Sequence, residues 1–295
     1  MSATAEMFPP KAKWSVDQIP DLTGRVIIVT GGNAGIGYET CKELLKHDAK
    51  VYLAARSKER ADAAIARLKQ DTGKEAIFLP IDLSSLTSVR IAAWGDGAPI
   101  DALTKEGYDM QWGTNVLGHF YFTELLLPAL EQGARTSPDQ HARVITTGSS
   151  ASYVGNVDFS ALADTPERKK VGETPLYWQS KLGNAIISHQ AAQKYAGKGI
   201  VSISLNPGNL DSDLYRNLPS LVHAILRKTV LYPNPQGALT QLYAGTMPDA
   251  LKHNGGWLKP WAREGKCPSA TDDGLGKRVW AWCEDAVKKF EASQQ

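Results

Sequence analysis

The sequence predicts an α/β protein in which helices cover both faces of a parallel sheet. Short runs of β-branched and apolar residues alternate with longer segments of helical apolar spacing, and this alternation continues along the whole chain. Apolar runs of this length are typical of parallel strands that are buried on both faces. Successive β–α–β units imply right-handed crossovers, and therefore a doubly wound sheet in a single three-layer αβα domain.

Each strand is predicted from its own run of Val, Ile, Leu and Ala, which suit a buried pleated surface. The runs are residues 25–30, 50–55, 76–81, 143–147 and 200–207. The helices between them are predicted from apolar residues at helical spacing, and Ser57 is placed to cap the second helix. Residues 255–265 are predicted to form the last strand and its turn, before an amphipathic C-terminal helix.

The composition is that of an ordinary globular chain. Hydrophobic residues make up 42% and charged residues 22% of the 295 residues, and the net charge is +2. No basic run stands out, so no nucleic-acid partner is expected. The 3 cysteines lack CxxC spacing and the 6 histidines are scattered, so neither a disulfide framework nor a metal site is expected.

The chain is predicted to consist of an N-terminal surface arm, residues 1–22, and one domain, residues 23–295. The arm is predicted because its residues are mostly polar and include several prolines. It has no apolar core of a secretory signal, and no window of the chain approaches the ~20 apolar residues of a membrane span. We therefore expect a cytoplasmic protein without a transmembrane span.

The glycine-rich segment TGGNAGIG, residues 30–37, lies between the first strand and the first helix. Its Gly31, Gly35 and Gly37 permit a tight turn, close approach to a pyrophosphate and close packing of helix on sheet. The helix N-terminus presents free N–H groups and a positive dipole end to the phosphates. A plain strand-to-helix turn also explains a glycine cluster, but the position after the first strand favours a Rossmann-like dinucleotide site.

The end of the second strand indicates which dinucleotide binds. NAD-binding proteins often have an acidic residue there, which holds the ribose 2′-hydroxyl. This chain has Arg56 instead, followed by Lys58 and Arg60. Because a guanidinium can hold a 2′-phosphate with two hydrogen bonds, we predict NADP(H) in preference to NAD(H). The alternative is that these three residues are solvated side chains at the start of a helix.

Tyr177 and Lys181 are four residues apart in the helical segment YWQSK, so their side chains share one face. A tyrosine with a pKa of about 10 is a poor acid–base group at neutral pH. A nearby ammonium favours the phenolate and lowers that pKa. Pairs at this spacing are common on helix surfaces, but together with the glycine-rich segment this pair becomes a much more specific signal.

With these motifs the chain resembles the short-chain dehydrogenase/reductase family, closely over residues 25–208 and more loosely beyond. It is most similar to fungal members of the retinol-dehydrogenase-like and WW-domain-oxidoreductase-like subgroup, on the segments GYDMQWGTNVLGHF, YWQSKLGNAI and NPGNLDSDLYRNLP, although it has no WW domain. The resemblance implies an NADP(H)-dependent oxidoreductase. Such an enzyme transfers a hydride between the nicotinamide and a carbonyl or alcohol carbon of a lipophilic small molecule.

The resemblance implies four catalytic residues. Tyr177 would exchange a proton with the substrate oxygen, and Lys181 would lower the tyrosine pKa and bind the nicotinamide ribose. Ser149 would polarise the substrate oxygen, with Ser150 as the alternative serine. Asn115 would hold a water that links Lys181 to solvent.

The resemblance also implies a set of cofactor-binding residues. Asp82 and Leu83, after the third strand, would contact the adenine. Pro207 and Gly208 would lie beside the nicotinamide, and Ser212 stands where many relatives have a carboxamide-binding threonine. The full set is Gly31, Asn33, Gly35, Ile36, Gly37, Arg56, Asp82, Leu83, Asn115, Tyr177, Lys181, Pro207, Gly208 and Ser212.

One family segment is missing from the sequence. The family's fourth strand ends in Asn-Asn-Ala-Gly and a loop, whereas here residues 99–103 resemble the start of that strand and residues 103–115 resemble the segment after the loop. Two explanations stay open: residues 98–104 form a truncated fourth strand, or the segment was lost from the gene product. A cofactor-binding but catalytically impaired protein, either a scaffold or a truncated gene product, is therefore the alternative to an active enzyme.

Residues 210–235 are expected to form a lid over the substrate. Within them, residues 218–233 are apolar with a basic middle, and in the family this region covers the substrate. A lipophilic carbonyl compound is therefore the predicted substrate class. Ordinary packing, a homodimer contact and shallow insertion into a membrane surface are the alternatives.

Overall fold

The computed structural model describes residues 4–91, 103–211 and 220–294. The strands are β1 (Val26–Thr30), β2 (Lys50–Ala55), β3 (Ile77–Pro80), β4 (Ala142–Thr147), β5 (Ile200–Leu205), β6 (Trp257–Lys259) and β7 (Arg263–Gly265). The helices are α1 (Thr4–Met7), α2 (Gly35–Lys46), α3 (Lys58–Thr72), α4 (Leu86–Ile91), α5 (Met110–Trp112), α6 (His119–Thr136), α7 (Glu173–Tyr195), α8 (Ser220–Thr229), α9 (Asn234–Thr246) and α10 (Asp273–Ala292).

The strands pair in parallel and are flanked by helices, which confirms the predicted Rossmann-like α/β fold. β2 lies between β1 and β3, with Ile28 opposite Tyr52 and Tyr52 opposite Ile77. β5 lies between β4 and β6, and among the strands that the structure describes only the short β7 runs antiparallel to its neighbour. The carboxyl ends of the parallel strands therefore face one edge, where ligands bind in folds of this class.

Within the described residues, the strands form two separate sheets of three and four strands. No described strand pairs with the free edge of β1 or with that of β4. Val26 in β1 is 61% exposed, and β4 is only partly buried along its length, whereas every residue of β5 is buried. Asp139 connects the two sheets at one end, because it pairs with Arg25 at 3.2 Å and with Arg143 at 2.6 Å.

The predicted truncated fourth strand, residues 98–104, lies mostly outside the described residues. Of the two residues that are described, Leu103 forms a single antiparallel bridge with Asp109. The Thr104 N–H donates to the Tyr108 carbonyl at 2.8 Å. The chain therefore turns back at this point instead of continuing along the sheet.

The N-terminal segment packs onto the rest of the chain more closely than the surface arm expected from its sequence. Trp14, Ile19 and Leu22 are buried in the same apolar cluster as side chains of β1 and α2. Glu6, in α1, is buried as well. The sequence did not predict this packing, because only a few buried side chains hold a segment that is otherwise polar and exposed. The division into residues 1–22 and 23–295 stays a prediction.

Candidate active site

The glycine-rich loop meets the start of α2 at the carboxyl end of β1. Gly31 and Gly35 have φ angles of +68° and +51°, which few other residues adopt without strain. A Cβ on Gly37 would lie 2.2 Å from the carbonyl oxygen of Gly31, so only glycine lets α2 approach the turn this closely. The Oδ1 atom of Asn33 is buried without a hydrogen-bond partner. These features fit a bound dinucleotide, whose hydroxyl groups could donate to that oxygen.

The ends of β2 and β3 carry the residues predicted to contact the adenosine half of the cofactor. Arg56 directly follows β2 and is exposed. Asp82 follows β3, and its Oδ1 accepts from the backbone N–H and the hydroxyl of Ser84 at 3.0 and 2.6 Å. The carbonyl oxygen of buried Leu83 would lie 2.6 Å from a Cβ on Gly118. The helical segment before α6 therefore packs directly on this turn.

Asn115 lies in a π-helical turn, Gly113–Gly118, immediately before α6. Turns of this type break the regular backbone hydrogen-bond ladder and are frequent at functional sites. Asn115 Nδ2 donates to the hydroxyl of Ser180 on α7 at 3.0 Å. His119 Nδ1 lies 3.1 Å from the carbonyl oxygens of both Thr114 and Asn115. Because carbonyl oxygens only accept, the His119 proton is on Nδ1.

His119 was not anticipated as part of the site, although it lies four residues after Asn115 and so on the same helical face. Its Nε2 is 3.4 Å from the hydroxyl oxygen of Thr30, the last residue of β1. Burial, together with the charge of Lys181, lowers the pKa of His119 to about 4. The ring is therefore neutral at neutral pH, and it connects the first sheet to the helix that carries Asn115.

Tyr177 and Lys181 share one face of α7. Lys181 Nζ lies 5.9 Å from the centroid of the Tyr177 ring and donates to the carbonyl oxygen of Thr147, at the end of β4, at 3.4 Å. Asn184, a further residue that the sequence did not single out, donates to the same oxygen at 3.2 Å. Burial lowers the pKa of Lys181 to about 8, so the ammonium form still predominates at neutral pH.

Ser149 caps the 3₁₀ turn Ser150–Tyr153 that follows β4. Its Oγ accepts from the backbone N–H of Ala151 at 3.2 Å. The turn is fixed to α7, because the Ser152 hydroxyl donates to the carbonyl oxygen of Lys181 at 2.9 Å. The predicted serine is thereby held against the helix of the predicted tyrosine and lysine, while Ser150, the alternative, begins the turn itself.

The Pro207–Gly208 segment follows β5 at the same edge. Gly208 has a φ angle of +92°, and its N–H donates to the Oδ1 of Asn206 at 3.0 Å. A Cβ on Gly237 of α9 would lie 2.3 Å from Leu210 and 2.7 Å from Ile36. The Pro-Gly segment and α2, the helix after the glycine-rich loop, therefore both pack against α9.

Ser212, predicted to bind the carboxamide, lies outside the described residues, whereas the start and end of the expected lid are described. The backbone N–H of Tyr232 donates to the carbonyl of Asn209 at 2.8 Å, and that of Asp211 donates to the carbonyl of Tyr232 at 2.9 Å. Arg227 on α8 pairs with Asp211 at 2.7 Å. These contacts hold the C-terminal end of α8 beside the Pro-Gly segment. Of the helices described, α8 included, none has the length and apolarity needed to cross a bilayer.

Comparison with known proteins identifies the family. A model of the short chain dehydrogenases matches residues 25–94. Two short-chain dehydrogenase/reductases of Armillaria gallica are 50% and 48% identical to this chain, and each alignment covers 98% of this chain and 98% of the relative. A short-chain dehydrogenase/reductase of Phomopsis amygdali is 35% identical over 98% of this chain and 97% of its own length.

Solved structures show the same architecture. A Mycobacterium paratuberculosis protein superposes with a TM-score of 0.71 at 25% identity, covering 93% of this chain and 97% of that one. L-sorbose reductase from Gluconobacter frateurii, solved with NADPH and L-sorbose, gives 0.63 at 15% identity, covering 82% and 97%. The fold is that of a Rossmann-like oxidoreductase. The chain belongs to the short-chain dehydrogenase/reductase family, whose members bind a nicotinamide cofactor.

Proposed function

We propose that the chain is an NADP(H)-dependent short-chain alcohol dehydrogenase or ketoreductase that acts on a lipophilic carbonyl compound or the corresponding alcohol. One observation carries the proposal: Lys181, on the same helical face as Tyr177, bonds to the end of β4, and the Ser149 turn after that strand bonds back to the helix. Family membership and the NADPH complex of the similar L-sorbose reductase support it.

The proton chemistry follows from the charges around Tyr177. The Lys181 ammonium favours the phenolate form of the tyrosine and so makes proton transfer accessible near neutral pH. In reduction, Tyr177 donates its proton to the carbonyl oxygen; in oxidation, the phenolate takes the proton of the alcohol. The Ser149 hydroxyl donates a hydrogen bond to the same substrate oxygen. The nicotinamide, when bound, supplies or accepts the hydride.

Asn115 has a supporting role in the proposed mechanism. Its side chain is fixed by Ser180, and its carbonyl oxygen accepts from His119. A carbonyl oxygen has two lone pairs, so the same atom can also accept from a water. That water would pass protons between Lys181 and solvent.

The preference for NADP(H) rests on the end of β2. Arg56 takes the place of the acid that would repel a 2′-phosphate, and a guanidinium binds phosphate in a bidentate manner. The neighbouring α3 begins here, with Ser57 accepting from the backbone N–H of Arg60 at 3.3 Å. The positive end of the helix dipole adds to the attraction for an anion.

The proposed function is tested with the Tyr177→Phe variant. NADPH oxidation is followed with a panel of small and bulky lipophilic ketones. We expect turnover by the wild type and a loss of roughly 10²–10⁴-fold in kcat for the variant, as for removal of a general acid. The Kd for NADPH should change less than about twofold, because the phenol hydroxyl contributes little to cofactor affinity. Equal kcat for the two proteins would contradict the assigned role.

Within the described residues the strands form two separate sheets, and this separation favours a second candidate, a cofactor-binding but catalytically impaired scaffold or truncated gene product. The Armillaria relatives align over 307 positions, more than the 295 residues of this chain, so they contain residues without a counterpart here. A buried amide left unpaired costs about 1–3 kcal/mol, out of a total stability of about 5–15 kcal/mol. NADPH binding without turnover on any ketone of the panel would favour this candidate.

A further inference from the structure

Glu6 is a buried acidic residue that the proposed chemistry does not use. It lies in α1 and is only 4% exposed. A carboxylate withdrawn from water needs hydrogen-bond donors to offset its desolvation. Glu6 has two: its Oε1 accepts from the hydroxyl of Tyr153 at 2.5 Å and its Oε2 accepts from the Nδ2 of Asn206 at 2.7 Å.

The two donors belong to the segments that carry the proposed site. Tyr153 is the last residue of the 3₁₀ turn capped by Ser149. Asn206 lies between β5 and the Pro-Gly segment. Burial and the Glu6 carboxylate both raise the pKa of Tyr153, so its hydroxyl keeps the proton that it donates. One carboxylate from the N-terminal segment therefore connects the chain after β4 to the chain after β5.

Glu6 also determines which way the Asn206 side chain points. Both Glu6 oxygens accept hydrogen bonds, so Asn206 turns its NH₂ group toward Glu6. Its Oδ1 then faces the other way and accepts from the Gly208 N–H at 3.0 Å. With the amide reversed, two N–H donors would face each other at Gly208. The hydrogen bonds thus run from Glu6 through Asn206 to the backbone expected beside the nicotinamide.

We propose that Glu6 is a positioning residue that sets the Pro207–Gly208 backbone and the end of the Ser149 turn for cofactor binding and catalysis. This inference rests on the proposed function, and it gives the N-terminal segment a part in the site. Loss of the carboxylate frees the Asn206 amide to rotate. Cofactor affinity and kcat then fall.

The inference is tested by exchanging the hydrogen-bond donor and acceptor between Glu6 and Asn206. Asn206→Asp alone removes the NH₂ donor that faces Glu6 and puts a second acidic group in its place, which disfavours the contact. Glu6→Gln combined with Asn206→Asp restores the pairing, because the new amide donates to the new carboxylate, which still accepts from the Gly208 N–H. We expect about tenfold weaker NADPH binding for the single variant and recovery to within about threefold of wild type for the double variant.

The matched control is Asp17→Asn, which removes an exposed charge from the same segment and should leave the Kd for NADPH unchanged. A double variant that binds no better than Asn206→Asp alone would overturn the inference. So would a single variant with the affinity of the wild type.

A second readout separates this inference from the proposed function. Hydrogen exchange of the peptide containing Gly208 reports the Asn206 contact without cofactor or turnover. We expect at least about tenfold faster exchange of the Gly208 amide in Glu6→Ala than in wild type or Asp17→Asn, since the bond that protects it is loosened. Faster exchange in a protein that binds no NADPH would support the positioning role and contradict the proposed function. Equal exchange rates would overturn the positioning role.

Discussion

At the residue scale, Lys181 places a buried ammonium in the site, and this burial lowers the stability of the fold. Burial lowers its pKa from 10.5 to about 8, so folding disfavours the ammonium that the proposed mechanism needs. The Thr147 carbonyl oxygen offsets only part of this desolvation, because it accepts from both Lys181 and Asn184. Sites whose pKa values are shifted in this way are common where catalysis occurs.

The sign of this shift gives a prediction for stability against pH. Between pH 8 and 10.5 the unfolded chain binds the Lys181 proton and the folded chain has lost it, so the free energy of unfolding rises with pH across that window. Below pH 8 both states are protonated and the lysine contributes no slope. Denaturant unfolding of wild type and Lys181→Met should therefore diverge in slope above about pH 8. Parallel curves for the two proteins would show that the lysine is not desolvated.

Arg56 gives a prediction for cofactor choice. Arg56→Ala should weaken NADPH binding by about tenfold or more and leave NADH binding nearly unchanged, because only NADPH has the 2′-phosphate. Titration by fluorescence measures both Kd values. Lys69→Ala, which removes an exposed charge from the same helix, α3, is the matched control. A similar loss for both cofactors in Arg56→Ala would mean that the guanidinium supports the loop and does not recognise the phosphate.

At the scale of elements, the buried parallel strands were predictable and the contacts between distant segments were not. The predicted strand 50–55 coincides with β2, and the predicted 143–147 differs from β4 by one residue, because runs of β-branched residues between glycine-rich and polar segments have few alternatives. Glu6 bonds to partners 147 and 200 positions away, and no local pattern encodes such a separation. The π-helical turn at Asn115 likewise depends on packing against α7 and against Leu83 in the turn after β3, and its sequence is that of an ordinary helix.

The lid is tested by substitutions on α8. Leu221 and Ile225 are four residues apart in the sequence of α8, a spacing that predicts a shared helical face. Replacing both with Ser should raise KM for bulky ketones at least about tenfold while changing KM for small ketones little, since burial of each apolar side chain is worth about 1.5–3 kcal/mol. Steady-state kinetics with a matched pair of ketones measures the difference. An equal change for both ketones would contradict the lid.

At the scale of the whole molecule, the contacts that the described residues make between the two sheets come mainly from helices and side chains. Besides Asp139 at one end, His119 reaches Thr30 at the end of β1, and α9 packs against α2. The cofactor would contact both sheets, since its adenosine half is expected at the ends of β1–β3 and its nicotinamide at the ends of β4 and β5. A cofactor that binds both sheets of the folded protein, and does not bind the unfolded chain, stabilises the folded state by mass action. A homodimer stays a prediction.

The most direct test of the central claim is therefore thermal unfolding of the wild-type protein with NADPH and with NADH. At a concentration of about 100 times Kd, a ligand adds about 2.7 kcal/mol to the free energy of unfolding, so NADPH should raise the Tm by several degrees. NADH at the same concentration should raise it much less. A sharp transition that neither cofactor shifts would contradict the account, and would mean that the site residues are present without a functioning cofactor site.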